Sequence, residues 1–389
     1  MNDLFFENDD LNLYVLVTMT NWDEAPRIRH EVAKFLSVRN NVLFIQIYSQ
    51  RGRFRKVQKL HPRIIIEKAG FSLPGLTRLF WVVPFFRKIY HWYLSICISR
   101  VVKKYTNKKF LLVSFQYDFP EVFSIDDVFA GVYFCNDDFV GQGYKQSEFV
   151  KNIKYKTQGQ VVRNADLVVT VSDPLQELLS KYSNDVKLIY SGHGFDLNRS
   201  LDFYNKKTIK KDDINVCYLG FLNSGVAVEW LYYIATQDDI NLTIVGPLSK
   251  SVLEAFGNKK NFKHIDILVN EPLQDFLLSQ DVLLMPYSSS VANNMTSTPA
   301  KLFQYISSGK PIVSSIMPNL IRLPDKFVYM AKDKYEFYSL VKKSIEENCK
   351  ELALERIEFA KKHTWSARGE EFDRLVNAVL VRSDRNENA

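Results

Sequence analysis

Short apolar runs recur along this chain at intervals that leave room for one helix between each pair, and the series is completed twice. The first set is Leu13–Val17, Val42–Ile47, Phe110–Phe115, Gly131–Cys135 and Asp166–Val171. The second is Ile214–Gly220, Asn241–Pro247, Phe262–Val269, Asp281–Tyr287 and Pro311–Ser315. Parallel strands need a crossover, usually a helix, so this rhythm predicts α/β architecture with doubly wound parallel sheets. With 389 residues there is chain enough for two cores. The polar stretch "RSLDFYNKKTIKKDD" (199–213) separates the two series and reads as a linker. The expectation is two such domains of similar size facing each other across a cleft.

Ligands in doubly wound sheets bind outside the carboxyl ends of the strands. That puts the loops after Val17, Phe115, Cys135, Gly220, Gly246 and Tyr287 on the functional edge. Gly220 and Gly246 end their strands where a backbone can approach a ligand closely. After Tyr287 comes "SSSVANNMTS" and then "TPAKLFQYISSGKPIVSS" (298–315), a hydroxyl-rich loop followed by a helix and a strand. Pro299 suits the first turn of that helix and Gly309 its C-terminal cap. A helix start offers unpaired N–H groups to a phosphate, and Lys301 adds a full charge there. Gln304, one turn on, can both donate and accept towards a ribose diol. The competing reading is a capped surface helix with a solvated lysine.

Charge is unevenly placed. Between Arg51 and Lys109 there are fifteen lysines and arginines against one acid, Glu67, while the whole chain is only +7. Inside this basic segment, 51–109, lies "LFWVVPFFRKIYHWYLSICISRVV". One reading is a core helix with a solvated basic face. The other, taken forward, is an interfacial surface whose aromatics enter lipid headgroups while Lys and Arg meet anionic lipid. No nucleic-acid motif accompanies the segment, and nucleic acid is not an expected partner. The acidic start lacks a signal peptide's order, and no apolar run is long enough to cross a bilayer. Cys97, Cys135, Cys217 and Cys349 have no metal-ligand spacing and read as buried thiols of a reducing compartment. The expected location is cytoplasmic, peripheral at the inner face of the membrane.

The order "RNADLVVTVSDPLQELL", "VKLIYSGHGFD", "CYLGFLNS", "LTIVGP", "DVLLMPY" and "TPAKLFQYISSGKPIVSS" resembles the GT-B glycosyltransferases of the family-four-like group. "FAKKHTWSARGEEF" (359–372) is similar to that group's closing helix. The resemblance implies two Rossmann-like domains: an acceptor-binding domain over 1–200, a nucleotide-sugar-binding domain over 201–365, and a helix over 366–389 that crosses back to the first. Retaining members of the group carry two glutamates eight residues apart, where this chain has Thr296 and Gln304. The Arg/Lys pair that usually binds the donor diphosphate is replaced by Asn223 and Ser224. The helix start after a "Pro-Tyr" strand end is similar to xanthan-type glucuronosyltransferases, which invert. That likeness implies a donor site of Tyr287, Ser297, Lys301 and Gln304, with Gly220, Gly246 and Thr298 beside it.

Inversion needs a base for the acceptor hydroxyl. "YFCNDDF" places Asp137 and Asp138 just past a strand end, where neighbouring side chains point opposite ways. Asp138 is taken first because Phe139 beside it would desolvate a carboxylate, Asp137 second, and Asp118 of "SFQYDFP" is the reserve. A turn or N-cap role is the competing reading for either. His193 reads as a satisfied loop histidine; Trp22 and Arg27 shape the acceptor side or serve structure. No Asp-x-Asp triplet occurs, and no metal or other cofactor is expected. The expected function is transfer of a sugar from a UDP-linked donor to a lipid-linked or membrane-proximal glycan acceptor, in surface polysaccharide or glycolipid synthesis. A soluble or protein acceptor, or an inactive nucleotide-sugar-binding relative, are the alternatives.

Overall fold

The strands read from the sequence assemble into two sheets. The computed structural model describes Phe6 and residues 11–24, 27–47, 58–70, 83–141, 146–205, 213–296, 298–320 and 322–387. The first sheet contains β1 (Leu13–Thr18), β2 (Asn41–Ile47), β3 (Gln58–His61), β4 (Ile64–Ala69), β5 (Phe110–Ser114), β6 (Val128–Cys135), β7 (Leu167–Thr170) and β8 (Val186–Leu188). Their order is β3-β4-β2-β1-β5-β6-β7-β8, and only the edge strand β3 runs antiparallel to its neighbour. The second contains β9 (Ile214–Leu219), β10 (Ile240–Val245), β11 (Phe262–Ile265), β12 (Val282–Met285), β13 (Ile312–Ser315) and β14 (Val328–Ala331). These run parallel throughout in the order β11-β10-β9-β12-β13-β14. Strand order reverses between β1 and β5 in one sheet and between β9 and β12 in the other. Such switch points are where ligand crevices open.

Every residue of β1 and β2 is buried. Helices cover both faces of a parallel sheet, which is why these strands read as unbroken apolar runs rather than alternating ones. In the first sheet, Tyr14, Leu16, Phe44 and Val113 pack on one side; Val15, Leu43, Ile45 and Leu112 pack on the other with Leu94, Ile98 and Phe119. The chain divides into two compact units, residues 1–189 with 369–389, and residues 190–368. The last helix, Trp365–Glu387, therefore begins in the second unit and continues in the first. Phe372 and Val376 of that helix are buried in the first unit's core.

The structure corrects several expectations. The strands β3, β4, β8 and β14 were not anticipated: β4 (IIIEKA) lies inside the basic segment, and β8 and β14 have only 3 and 4 residues. The stretch read as a linker opens as a helix, Leu197–Asn205. Two of its polar groups turn inward: the Gln274 amide donates to Ser200 Oγ at 3.1 Å, and Tyr204 donates to the Ser308 carbonyl at 3.2 Å. Residues 206–212 of the stretch lie outside the described residues. The cysteines are unpaired, but Cys349 is exposed and Cys97 only half-buried.

The helix Pro84–Val102 in the basic segment packs Tyr90, Leu94 and Ile98 into the core and exposes Lys88 and Arg100, but not all of its polar groups face solvent. Arg87 and His91 point inward, at 5% and 2% exposure, where Arg87 donates to Thr157 Oγ1 at 2.7 Å and His91 Nδ1 lies 3.0 Å from Glu121. Phe85, Phe86, Ile89 and Trp92 face out instead. The parts of the segment at 51–57 and 71–82 lie outside the described residues. No helix among the described residues is long and apolar enough to cross a membrane.

Candidate active site

At the switch point of the second sheet, backbone geometry is set by two glycines. Gly220 follows β9 with φ +126°, and Gly246 follows β10 with φ +138°, both in the region that side chains avoid. A Cβ on Gly246 would lie 2.6 Å from the Gly220 carbonyl oxygen. Gly246 is thus needed for the fit of two strand ends, where a close approach by a ligand was expected. A Cβ on Gly220 would lie 3.1 Å from Lys301 Nζ, so the missing side chain makes room for the ammonium. Asn294 ties the neighbouring loops together, donating to the carbonyls of Gly225 and Ser288 at 2.7 Å each. Asn223 accepts from Gly225 N–H at 2.8 Å and closes the turn.

Lys301 reaches into this point from the helix Lys301–Ser307. Its ammonium lies 4.0 Å from the centre of the Tyr218 ring and 5.3 Å from that of Tyr287. Among the described residues it has no carboxylate and no hydrogen-bond acceptor. Burial pushes its pKa down to about 7, because desolvation of the charge outweighs the opposing influence of Cys217. Tyr287 is fixed by its N–H, which donates to Ser315 Oγ at 2.9 Å, and Tyr305 accepts the Leu219 N–H at 2.9 Å. A lone ammonium beside a strand-end glycine has three N–H donors to offer an anion.

The helix itself is shorter than expected. It starts at Lys301 with Ala300 as its cap, so Pro299 precedes it rather than forming its first turn, and no side chain caps it. With 7 residues it brings a smaller dipole than assumed, and the lysine charge carries the site. Gly309 does lie just beyond its C-terminus, at φ +72°. Thr298 is 7% exposed with its hydroxyl unpartnered, Gln304 and Thr296 are half-buried, and Ser297 lies outside the described residues.

In the first unit the acidic pair beyond β6 is split. Asp138 is 4% exposed, its Oδ1 accepts from Gly141 N–H at 2.8 Å, and burial raises its pKa. This is the turn-closing role given above as the competing reading: one oxygen of the desolvated Asp138 carboxylate is engaged by its own loop. Asp137 is half-buried and belongs to a polar chain at the carboxyl ends of β1 and β6. Arg29 donates to Thr20 Oγ1 at 2.6 Å and to Asn136 Oδ1 at 3.1 Å, and Asn136 in turn donates to Asp137 Oδ2 at 2.6 Å. The Arg29 guanidinium lies 5.6 Å from the rings of both Phe115 and Phe139. Asp118, the reserve, has a buried Oδ1 without a partner, and burial raises its pKa against the opposing charges of His91, Arg87 and Lys154.

His193 is the satisfied loop residue it was read as: Nδ1 accepts from Phe195 N–H at 3.2 Å, leaving Nε2 to donate to the Ala360 carbonyl at 3.0 Å. Trp22 packs edge-on against Phe44 and His30, a structural role. Arg29, Asn136, Tyr218 and Asn294 are the residues that sequence reasoning missed. The helical position of Arg29 beyond the loop after β1 was the available signal for one of them.

Both sheets with their switch points define the GT-B fold, and known structures agree. An α,α-trehalose-phosphate synthase (UDP-forming) from Burkholderia vietnamiensis superposes with a TM-score of 0.68 at 10% identity, over 96% of this chain and 100% of that one. Anabaena Alr3699/HepE, in complex with UDP and glucose, gives 0.66 at 14% identity, over 94% and 100%. In sequence, the chain is 21% identical over 358 residues, 83% of its length and 85% of the relative's, to a Bacillus subtilis (strain 168) protein. That relative carries the provisional name teichuronic acid biosynthesis glycosyltransferase TuaH. No protein-family model matches.

Proposed function

We propose that this protein is a glycosyltransferase that moves a sugar from a UDP-linked donor onto a lipid-linked or membrane-proximal glycan acceptor, in surface polysaccharide or glycolipid synthesis. The observation that carries the reading is the Lys301 ammonium at the switch point of the second sheet, beside Gly220 and Tyr287, without an acid or hydrogen-bond acceptor among the described residues. A half-buried cation without an acid is favoured by an anion that completes it. A nucleoside diphosphate supplies that charge, with Gln304 as the candidate for its ribose and Tyr287 and Thr298 as further donor-site candidates, as the likeness to xanthan-type enzymes implies; Ser297, implied by the same likeness, lies outside the described residues. UDP in the HepE complex and the teichuronic acid name of the sequence relative support the nucleotide and the polysaccharide setting.

In this mechanism the acceptor hydroxyl loses its proton to Asp137 as the anomeric bond to the leaving diphosphate breaks, with inversion. Asn136, held by Arg29, orients that carboxylate. Lys301 takes up the charge that develops on the leaving group, and no metal is needed. The outward apolar side chains Phe85, Phe86, Ile89 and Trp92, with Lys88 among them, support docking of the basic segment on the anionic inner face of the membrane.

The test is thermal shift against UDP, GDP, UDP-glucose, UDP-glucuronate, UDP-N-acetylglucosamine and GDP-mannose. A ligand that binds only native protein raises its apparent stability. UDP and one UDP-sugar are expected to shift the melt, and Lys301→Ala to weaken UDP about 10- to 100-fold, as for loss of charge-assisted hydrogen bonds. No shift with any nucleotide would sink the proposal.

A further inference from the structure

We propose that Tyr218 is a positioning residue of the donor site, its ring holding the Lys301 ammonium in place at Gly220. The inference rests on the donor reading above and adds to it a residue which that reading does not require. Tyr218 is the penultimate residue of β9, at 1% exposure, a position that a leucine or valine would fill without leaving a polar atom to satisfy. Its hydroxyl donates to the Phe221 carbonyl at 3.0 Å, which anchors the ring beneath the loop that starts at Gly220. The face of that ring lies under Nζ, 4.0 Å from its centre, closer than the Tyr287 ring at 5.3 Å. An aspartate in this place would hold the lysine more strongly, but it would also compete with a diphosphate for its N–H groups. A ring face attracts the cation without occupying those donors.

The remaining titratable groups around Lys301 are Cys217 on β9, Tyr287 after β12 and Tyr305 on its own helix. Burial raises all three and Tyr218 itself, so they stay protonated and neutral at physiological pH. Lys301 alone changes charge near neutrality, and only its protonated form suits a diphosphate. UDP affinity should therefore fall as pH rises above about 7, with proton uptake on binding.

Calorimetric titration with UDP, from pH 6 to 9, on wild type, Tyr218→Phe, Tyr218→Leu, Lys301→Met and the double Tyr218→Leu/Lys301→Met tests this. The Phe variant keeps the ring and should bind within about threefold of wild type; the Leu variant should lose about tenfold, with its pH dependence moved to lower pH. In the Lys301→Met background the Leu change should cost less than about twofold, and the fall above pH 7 should flatten. Equal losses from Leu in both backgrounds, or a loss in Phe as large as in Leu, overturn the positioning role while leaving the donor site in place. Failure of folded wild type to bind UDP at all instead removes the donor reading, and this inference with it.

Discussion

Two adjacent aspartates of identical chemistry are given opposite tasks by the backbone that follows them. Asp138 turns into the loop and accepts from Gly141, while Asp137 stays at the edge on a chain running back through Asn136 to Arg29. Asp137→Asn is therefore expected to lower kcat by about 100-fold or more, and Asp138→Asn to leave it within about threefold, in a radiolabelled transfer assay. Asp138 also predicts a pH signature. Its folded pKa is raised by burial, so the native state binds more protons than the unfolded one across the window above the usual carboxylate range. Stability falls as pH rises through that window. Asp138→Asn keeps an oxygen for Gly141 and should flatten the fall, read as denaturation midpoints from about pH 4 to 7. Equal slopes in variant and wild type would show that the buried carboxyl is not the titrating group.

Strand ends and one helix decide the next level. Gly246 looked like a ligand contact in the sequence, yet its neighbour is the Gly220 carbonyl, a backbone atom that cannot step aside. Gly246→Ala is expected to destabilise by about 2 kcal/mol or more and to weaken UDP binding through the displaced Gly220, checked by chemical denaturation and by titration. The helix Pro84–Val102 makes a separate claim. Phe85 and Trp92 are each 66% exposed, so Phe85→Glu and Trp92→Glu together should change stability little, by about 0.5 kcal/mol each at most. They should nevertheless abolish salt-sensitive flotation on anionic vesicles if this face meets lipid. Unchanged flotation, or none in wild type, would return the acceptor to the soluble class.

At the scale of the whole molecule, chain ends matter as much as domains. The first unit's core is completed by residues more than three hundred positions away from β1: Phe372 is 1% exposed and lies 5.6 Å from the Phe35 ring and 6.1 Å from that of Phe134. Phe372→Ala should cost about 3–5 kcal/mol, the usual range for emptying a buried aromatic site. The loss should fall on the unit that holds β1 to β8. Hydrogen exchange resolved by peptide distinguishes this: faster exchange in β1, β2 and β6 is expected, and faster exchange confined to β9–β14 would contradict it.

The sequence by itself determined the α/β rhythm, the two parallel sheets and the switch-point loops, because these depend on local periodicity and on where apolar runs begin and end. Gly220 and Tyr287 were readable for the same reason: each sits next to a strand end that the pattern marks. What only the tertiary structure decided is direction and partnership. Arg87 and His91 look like solvent-facing charges in sequence but lie inside, satisfied by Thr157 and Glu121 from elements distant along the chain. Asp138 is withdrawn by a turn that its own side chain closes. Lys301 marks a helix start in the sequence, but only packing beside Tyr218 and Tyr287 half-buries its ammonium without giving it an acid. Desolvation and pairing belong to the folded surroundings of a group, and a linear pattern carries neither.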